Sequence, residues 1–113
     1  MGLSEKDREK IIAWATRHPE IKAAYLYGSR ARGNNQPSSD IDIGIVLNRN
    51  KGDNNTLATW VAEASRLKDD LIDKLSTPLD LQWYDIEREQ LQEGEASKVY
   101  DGVQADGILL YSE

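Results

Sequence analysis

The chain has 113 residues, with 20 acidic and 14 basic side chains, a formal charge of −6 and no cysteine. This length predicts one domain that buries enough surface to fold without covalent staples. The missing cysteine excludes disulfides, thiolate metal centres and a cysteine nucleophile, and the acidic balance disfavours a long electrostatic grip on a nucleic-acid backbone.

No apolar run has the length of a signal-peptide core or a membrane span, so a soluble, cytoplasmic protein is expected. Ser4 and Asp7 have capping-box spacing ahead of Ile11, Ile12 and Ala15, which predicts a helix from about Glu5 to Arg17, closed by His18 and Pro19. Ile21 to Tyr27 is short, apolar and aromatic, and reads as a buried strand ending at Gly28. Asn34-Asn35-Gln36-Pro37-Ser38 is turn chemistry, and Asp40 to Leu47 reads as a second strand, hairpin-like with the first. Asn48 to Asn55 is a polar loop without the glutamate of a calcium-binding loop. After it, Leu57, Trp60, Val61, Ala64, Leu67, Leu71 and Leu75 keep helical spacing. Leu79 to Trp83 alternates as a third strand with Asp80 on the face opposite Leu79, Leu81 and Trp83. Asp85 can cap a helix containing Ile86, Leu91 and Val99, weakened by Gly94, and Gly107 to Tyr111 reads as a last strand.

The chemistry concentrates in Tyr27-Gly28-Ser29-Arg30-Ala31-Arg32-Gly33 and in Ser39-Asp40-Ile41-Asp42-Ile43. A glycine at the turn lets backbone approach a phosphate closely, while the following amides and the Ser29 hydroxyl donate to anionic oxygens. Asp40 and Asp42 share one face of a strand, roughly 6.6 Å apart at Cα, with Ile41, Ile43 and Ile45 on the opposite, buried face. Two like charges there repel, and a divalent cation relieves both the repulsion and the desolvation. Asp80 is a third acid of the same kind or a solvated edge-strand residue. Arg30, Arg32 and Arg49 lie near the turn in sequence, either neutralising phosphate charge or on the surface. His18, the one histidine, is read as a helix-end group rather than a base. Trp14, Trp60 and Trp83 are read as core or interface residues rather than a base-stacking platform.

The G-S-R-A-R-G turn, the S-D-I-D-I strand and the later L-D-L strand resemble the minimal nucleotidyltransferases of the polymerase-β-like superfamily. The resemblance covers nearly the whole chain in element order, and its specific identity lies in the turn, the D-x-D pair and Asp80. It implies that Gly28 and Ser29, with Arg30 and Arg32 as further candidates, hold the phosphates of a nucleoside triphosphate, with ATP the expected donor. It also implies that Asp40, Asp42 and Asp80 are the catalytic acids and bind two Mg2+ ions. Such proteins occur beside a HEPN-class ribonuclease toxin that the nucleotidyltransferase adenylylates. The expected activity is therefore AMP transfer to a tyrosine hydroxyl of a HEPN partner, as an antitoxin. One rival is transfer to a small hydroxylated compound such as an aminoglycoside, for which so short a chain leaves little room. Another is an antitoxin that neutralises by contact alone, which the three intact acids argue against. The expected architecture is one α+β domain over residues 1–113, a small mixed sheet with helices chiefly on one face and the turn and acidic strands on the other.

Overall fold

A computed structural model describes residues 2–48, 57–84 and 95–113. Helix α1 (Glu5–Arg17) starts where Ser4 Oγ accepts the Asp7 amide at 3.1 Å. The other half of the anticipated capping box is diverted. The buried Asp7 carboxylate accepts instead from Ser76, through its backbone N–H at 3.3 Å and its hydroxyl at 2.5 Å. This ties the first helix to the segment that feeds the third strand.

The chain continues as β1 (Ile21–Tyr27), the single-turn α2 (Ser29–Arg32), β2 (Ile41–Leu47), α3 (Leu57–Ile72), β3 (Leu79–Trp83), α4 (Glu95–Asp106) and β4 (Ile108–Ser112). The described strands form a four-stranded sheet in the order β3-β2-β1-β4. The tight β1 to β2 and α4 to β4 connections give β1 two antiparallel neighbours. The passage through α3 is long enough to bring β3 back parallel to β2.

Helices α1 and α3 cover one face, where Ile11, Trp14, Ile43, Ile45, Leu67, Leu71 and Leu81 close the larger core. The Trp14 indole N–H, which would otherwise be buried without a partner, donates to the Leu67 carbonyl at 2.9 Å. A second tie closes the rim of this face. There His18 Nε2 meets Asp70 at 2.6 Å, Arg17 and Lys74 reach the same carboxylate at 3.2 and 3.1 Å, and Arg66 bonds Glu20 at 2.9 Å. Hydrogen bonds from His18, Lys74 and Arg17 hold the Asp70 carboxyl well below the usual carboxylate range. His18 thus sits in a structural ion network.

The opposite face, which carries the turn and the acidic strands, also receives a helix. Helix α4 packs there on a smaller core of Ala23, Val46, Tyr84, Val99 and Val103. Gly44 permits it, because a Cβ at that position would stand 3.1 Å from Val99 Cγ1 and 3.2 Å from Val103 Cγ2. The expected helix start at Asp85, with Ile86, Leu91 and Gly94, lies outside the described residues, as do Arg49 and most of the polar loop. No helix among the described residues is long and apolar enough to cross a membrane.

Candidate active site

Strand β1 delivers the chain to Gly28, whose φ of 75° and ψ of −154° lie in a region essentially open only to glycine. One helical turn follows, with the Arg32 amide donating to the Gly28 carbonyl and the Asn34 amide to the Ser29 carbonyl, both at 3.1 Å. At the start of such a turn the first backbone N–H groups have no acceptor within the helix, and the Ser29 side chain stands beside them. Gly28 has a second reason to be glycine. A Cβ there would collide with the Asp42 carboxylate, so the turn and the acidic strand are in direct contact.

The register aligns the acids across the sheet. Asp42 pairs with Tyr27 of β1 on one side and with Asp80 of β3 on the other. Asp40 lies immediately before β2, exposed at the mouth of the same face. Burial pushes the Asp42 carboxyl up from its ordinary 3.8 to about 6, helped by the charges of Asp80 and Asp40 and a hydrogen bond with Asp80, and opposed by the charge of Arg30. Gln82, two residues along β3 and on the same face, donates its side-chain amide to Asp80 Oδ1 at 2.9 Å. The sequence reading missed Gln82. Its signal is the two-residue spacing from Asp80 in L-D-L-Q, visible once Asp80 is taken as a site residue.

The two arginines of the turn part company. Arg32 is half-exposed and reaches Asp106 at the end of α4, at 3.3 Å. Arg30 is buried, and its guanidinium donates to carbonyl and hydroxyl oxygens of the protein. Trp60 and Trp83 stack with centroids 6.2 Å apart and planes 11° from parallel, joining α3 to β3. With Trp14 in the core, all three indoles take part in packing within the fold.

Three carboxyls on one face, one of them holding its proton to about pH 6, form a place where a divalent cation would supply missing positive charge through hard oxygen ligands. Among the described residues no group of three or more acids or histidines is gathered closely enough to hold a metal ion by itself. Mg2+ is commonly held by one or two carboxylates together with substrate phosphates.

Residues 9–113 match the family model described as polymerase beta, nucleotidyltransferase. No curated protein matches the sequence significantly. Among solved structures, the chain is similar to one of a toxin-antitoxin complex with AMP-PNP, at 24% identity over 94% of this chain and 73% of that one, with a TM-score of 0.62. It is similar to a mutant of the toxin-antitoxin MntA-HpeT, at 25% identity over 93% of this chain and 72% of the other, with a TM-score of 0.58. It is also similar to one of a tri-AMPylated Shewanella oneidensis HEPN toxin in complex with MNT antitoxin, at 22% identity over 95% of this chain and 71% of that one, with a TM-score of 0.56.

Proposed function

The chain belongs to the polymerase beta nucleotidyltransferase family, and from that premise we propose that it transfers AMP from ATP to a tyrosine hydroxyl of a HEPN-class toxin and so acts as its antitoxin. The observation that carries this reading is the contact of the Gly28 turn with the Asp42 carboxylate, one strand away from Asp80. In this reading the turn is the phosphate site, and the contact sets it directly against the acids, as displacement at the α-phosphorus of a nucleotide requires. The neighbours support the choice of donor and acceptor, since one of them was solved with AMP-PNP and another is a complex with a tri-AMPylated HEPN toxin.

In this reading the β and γ phosphates lie on the backbone amides after Gly28 and on the Ser29 hydroxyl, with half-exposed Arg32 beside them. Asp40, Asp42 and Asp80 would hold two Mg2+ ions, which supply charge neutralisation and Lewis-acid activation of the α-phosphate. Asp80 takes the proton of the acceptor hydroxyl, whose oxygen forms the new bond to the α-phosphorus. The bond to the bridging oxygen breaks, and pyrophosphate leaves toward Ser29, whose hydroxyl is positioned to stabilise the charge. Gln82 keeps Asp80 in place, and the residues of the α1–α3 face take no part. The net negative charge suits a partner whose RNA-binding surface is basic, and an added adenylyl phosphate would oppose RNA binding there.

The test is to incubate the purified chain with the product of its neighbouring reading frame, ATP and Mg2+, and to weigh both proteins by mass spectrometry. Adenylyl mass on a partner tyrosine, absent with Asp40→Asn, is the expected result. Neutralisation of the partner with no added mass would replace this reading with a contact-only antitoxin.

A further inference from the structure

Arg30 occupies the centre of the phosphate turn, yet its side chain is built into the protein. Nη1 donates to the Gly2 carbonyl at 2.8 Å, and Nε and Nη2 both donate to the Ser39 carbonyl, at 3.1 and 2.7 Å. Nη2 also reaches the Pro37 carbonyl at 3.2 Å and the Thr77 hydroxyl at 3.4 Å. The return contact is made by backbone, the Gly2 amide donating to the Arg30 carbonyl at 3.2 Å.

The Gly2 contact anchors the N-terminal segment, and the other segments it touches lead to the acids. Ser39 is the residue before Asp40. Thr77 precedes Pro78, whose carbonyl accepts the Ile41 amide at 2.8 Å and so sets the register in which Asp42 faces Asp80. Arg30 itself follows Ser29, on the far side of the turn from Gly28. One planar fork of five donors therefore joins the phosphate turn, the approach to Asp40 and the approach to Asp80. An ammonium on a flexible stem, donating from a single point, has no way to satisfy acceptors spread over three segments.

We propose that Arg30 is the positioning residue of this site: it fixes the distance between the phosphate turn and the three acids and sets how readily they accept divalent cations, without touching phosphate. This rests on the metal-dependent nucleotide-transfer reading given above. Residues that orient metal-binding carboxylates from behind typically change metal affinity by about 10- to 100-fold when replaced.

The test compares the native chain with Arg30→Lys, reading ATP binding by calorimetry over a series of Mn2+ concentrations and checking the fold by circular dichroism and melting. The lysine variant is expected to need on the order of tenfold more Mn2+ for half-maximal ATP binding and to recover near-native ATP affinity at saturating Mn2+. A lysine variant that melts lower but shares the native Mn2+ midpoint would make Arg30 a staple of the fold and overturn the proposal. If the lysine variant does not fold, Thr77→Val, which removes only the hydroxyl contact toward β3, gives the answer. Its midpoint should rise about twofold to threefold in the same direction, and an unchanged midpoint counts against the proposal. A native chain whose ATP binding ignores Mn2+ would sink the reading of the site and the Arg30 role together, whereas a clear native midpoint shared by the variants sinks the Arg30 role alone.

Discussion

At the rim between α1 and α3, Asp70 is met by His18, Arg17 and Lys74 within 3.2 Å, whereas at the start of β2 and β3 Asp42 is met by Asp80 and Asp40. Both are clusters of charged groups at the ends of elements. In the first, opposite charges neutralise one another, and the Asp70 carboxyl is held below its ordinary range. In the second, burial and then the like charges that the sheet register brings alongside drive the Asp42 carboxyl up to about 6. The contrast separates groups the fold uses for itself from groups it holds at a cost in stability for something outside.

The largest expected effect comes from removing an acid at the second cluster. Asp42→Asn should lower AMP transfer by about a thousandfold or more, since several kcal/mol of charge stabilisation go with it, and each 1.36 kcal/mol is tenfold in rate. The same variant should melt no lower than the native chain in metal-free buffer, because it relieves burial of a charge and a repulsion while the asparagine amide can still donate to Asp80. Asp80→Asn should abolish transfer with less effect on ATP binding. Native ATP affinity should rise with Mg2+ while that of Asp42→Asn should not; equal affinity with and without the metal would erase the distinction between the clusters. These outcomes are read by incorporation of labelled AMP, calorimetry and melting scans.

Ser29→Ala should cost on the order of a hundredfold in rate, the usual price of one lost donor to a developing charge, with an unchanged melting temperature. A lower melting temperature with full activity would move Ser29 to the structural side. Trp14→Phe tests the α1–α3 face: it removes the indole donor to the Leu67 carbonyl, which keeps its own helical partner, and shrinks a fully buried ring, and should destabilise the fold by about 2 kcal/mol, seen as a shift of the denaturant midpoint.

The smallest effect is the pH response of the two clusters. Asp42 binds its proton more tightly folded, at about 6, than its ordinary 3.8, so its contribution to stability is present at low pH and lost as pH rises through about 6. Asp70 has the opposite sign. Its contribution is present above the ordinary carboxylate range and lost on acidification below it. The melting difference between native and Asp42→Asn should therefore change from about pH 4 to pH 6, and that between native and Asp70→Asn only below about pH 4. Coincident profiles would show that the clusters are not distinct.

Much of the fold was legible because local pattern and tertiary demand agree. The period-two alternation of Leu79 to Trp83 and the apolar run of Ile21 to Tyr27 became β3 and β1 with the expected limits. Ser4 caps α1 as its spacing suggests. Asp42 and Asp80 fall on one face because pleating fixes alternation and parallel pairing fixes the neighbour, and Asp40 lies just before β2. What was not legible depends on contacts between distant segments. Asp7 bonds Ser76 instead of closing its own cap, Arg30 turns inward to Ser39 and Thr77, and Gln82 braces Asp80. Helix α4 covers the acidic side because Gly44 leaves room for it, which a single glycine in a strand does not announce.

Among the described strands the order β3-β2-β1-β4 makes β3 an edge strand, bonded to β2, and that seam is where Asp80 lies against Asp42. Repulsion between the two acids therefore acts across the one seam that holds this edge strand in the sheet. It follows that β3 opens more readily than central β1, and that its amides exchange with solvent faster. A bound cation and nucleotide would close this seam by mass action, so hydrogen exchange along β3 becomes a gauge of substrate occupancy read from the backbone itself.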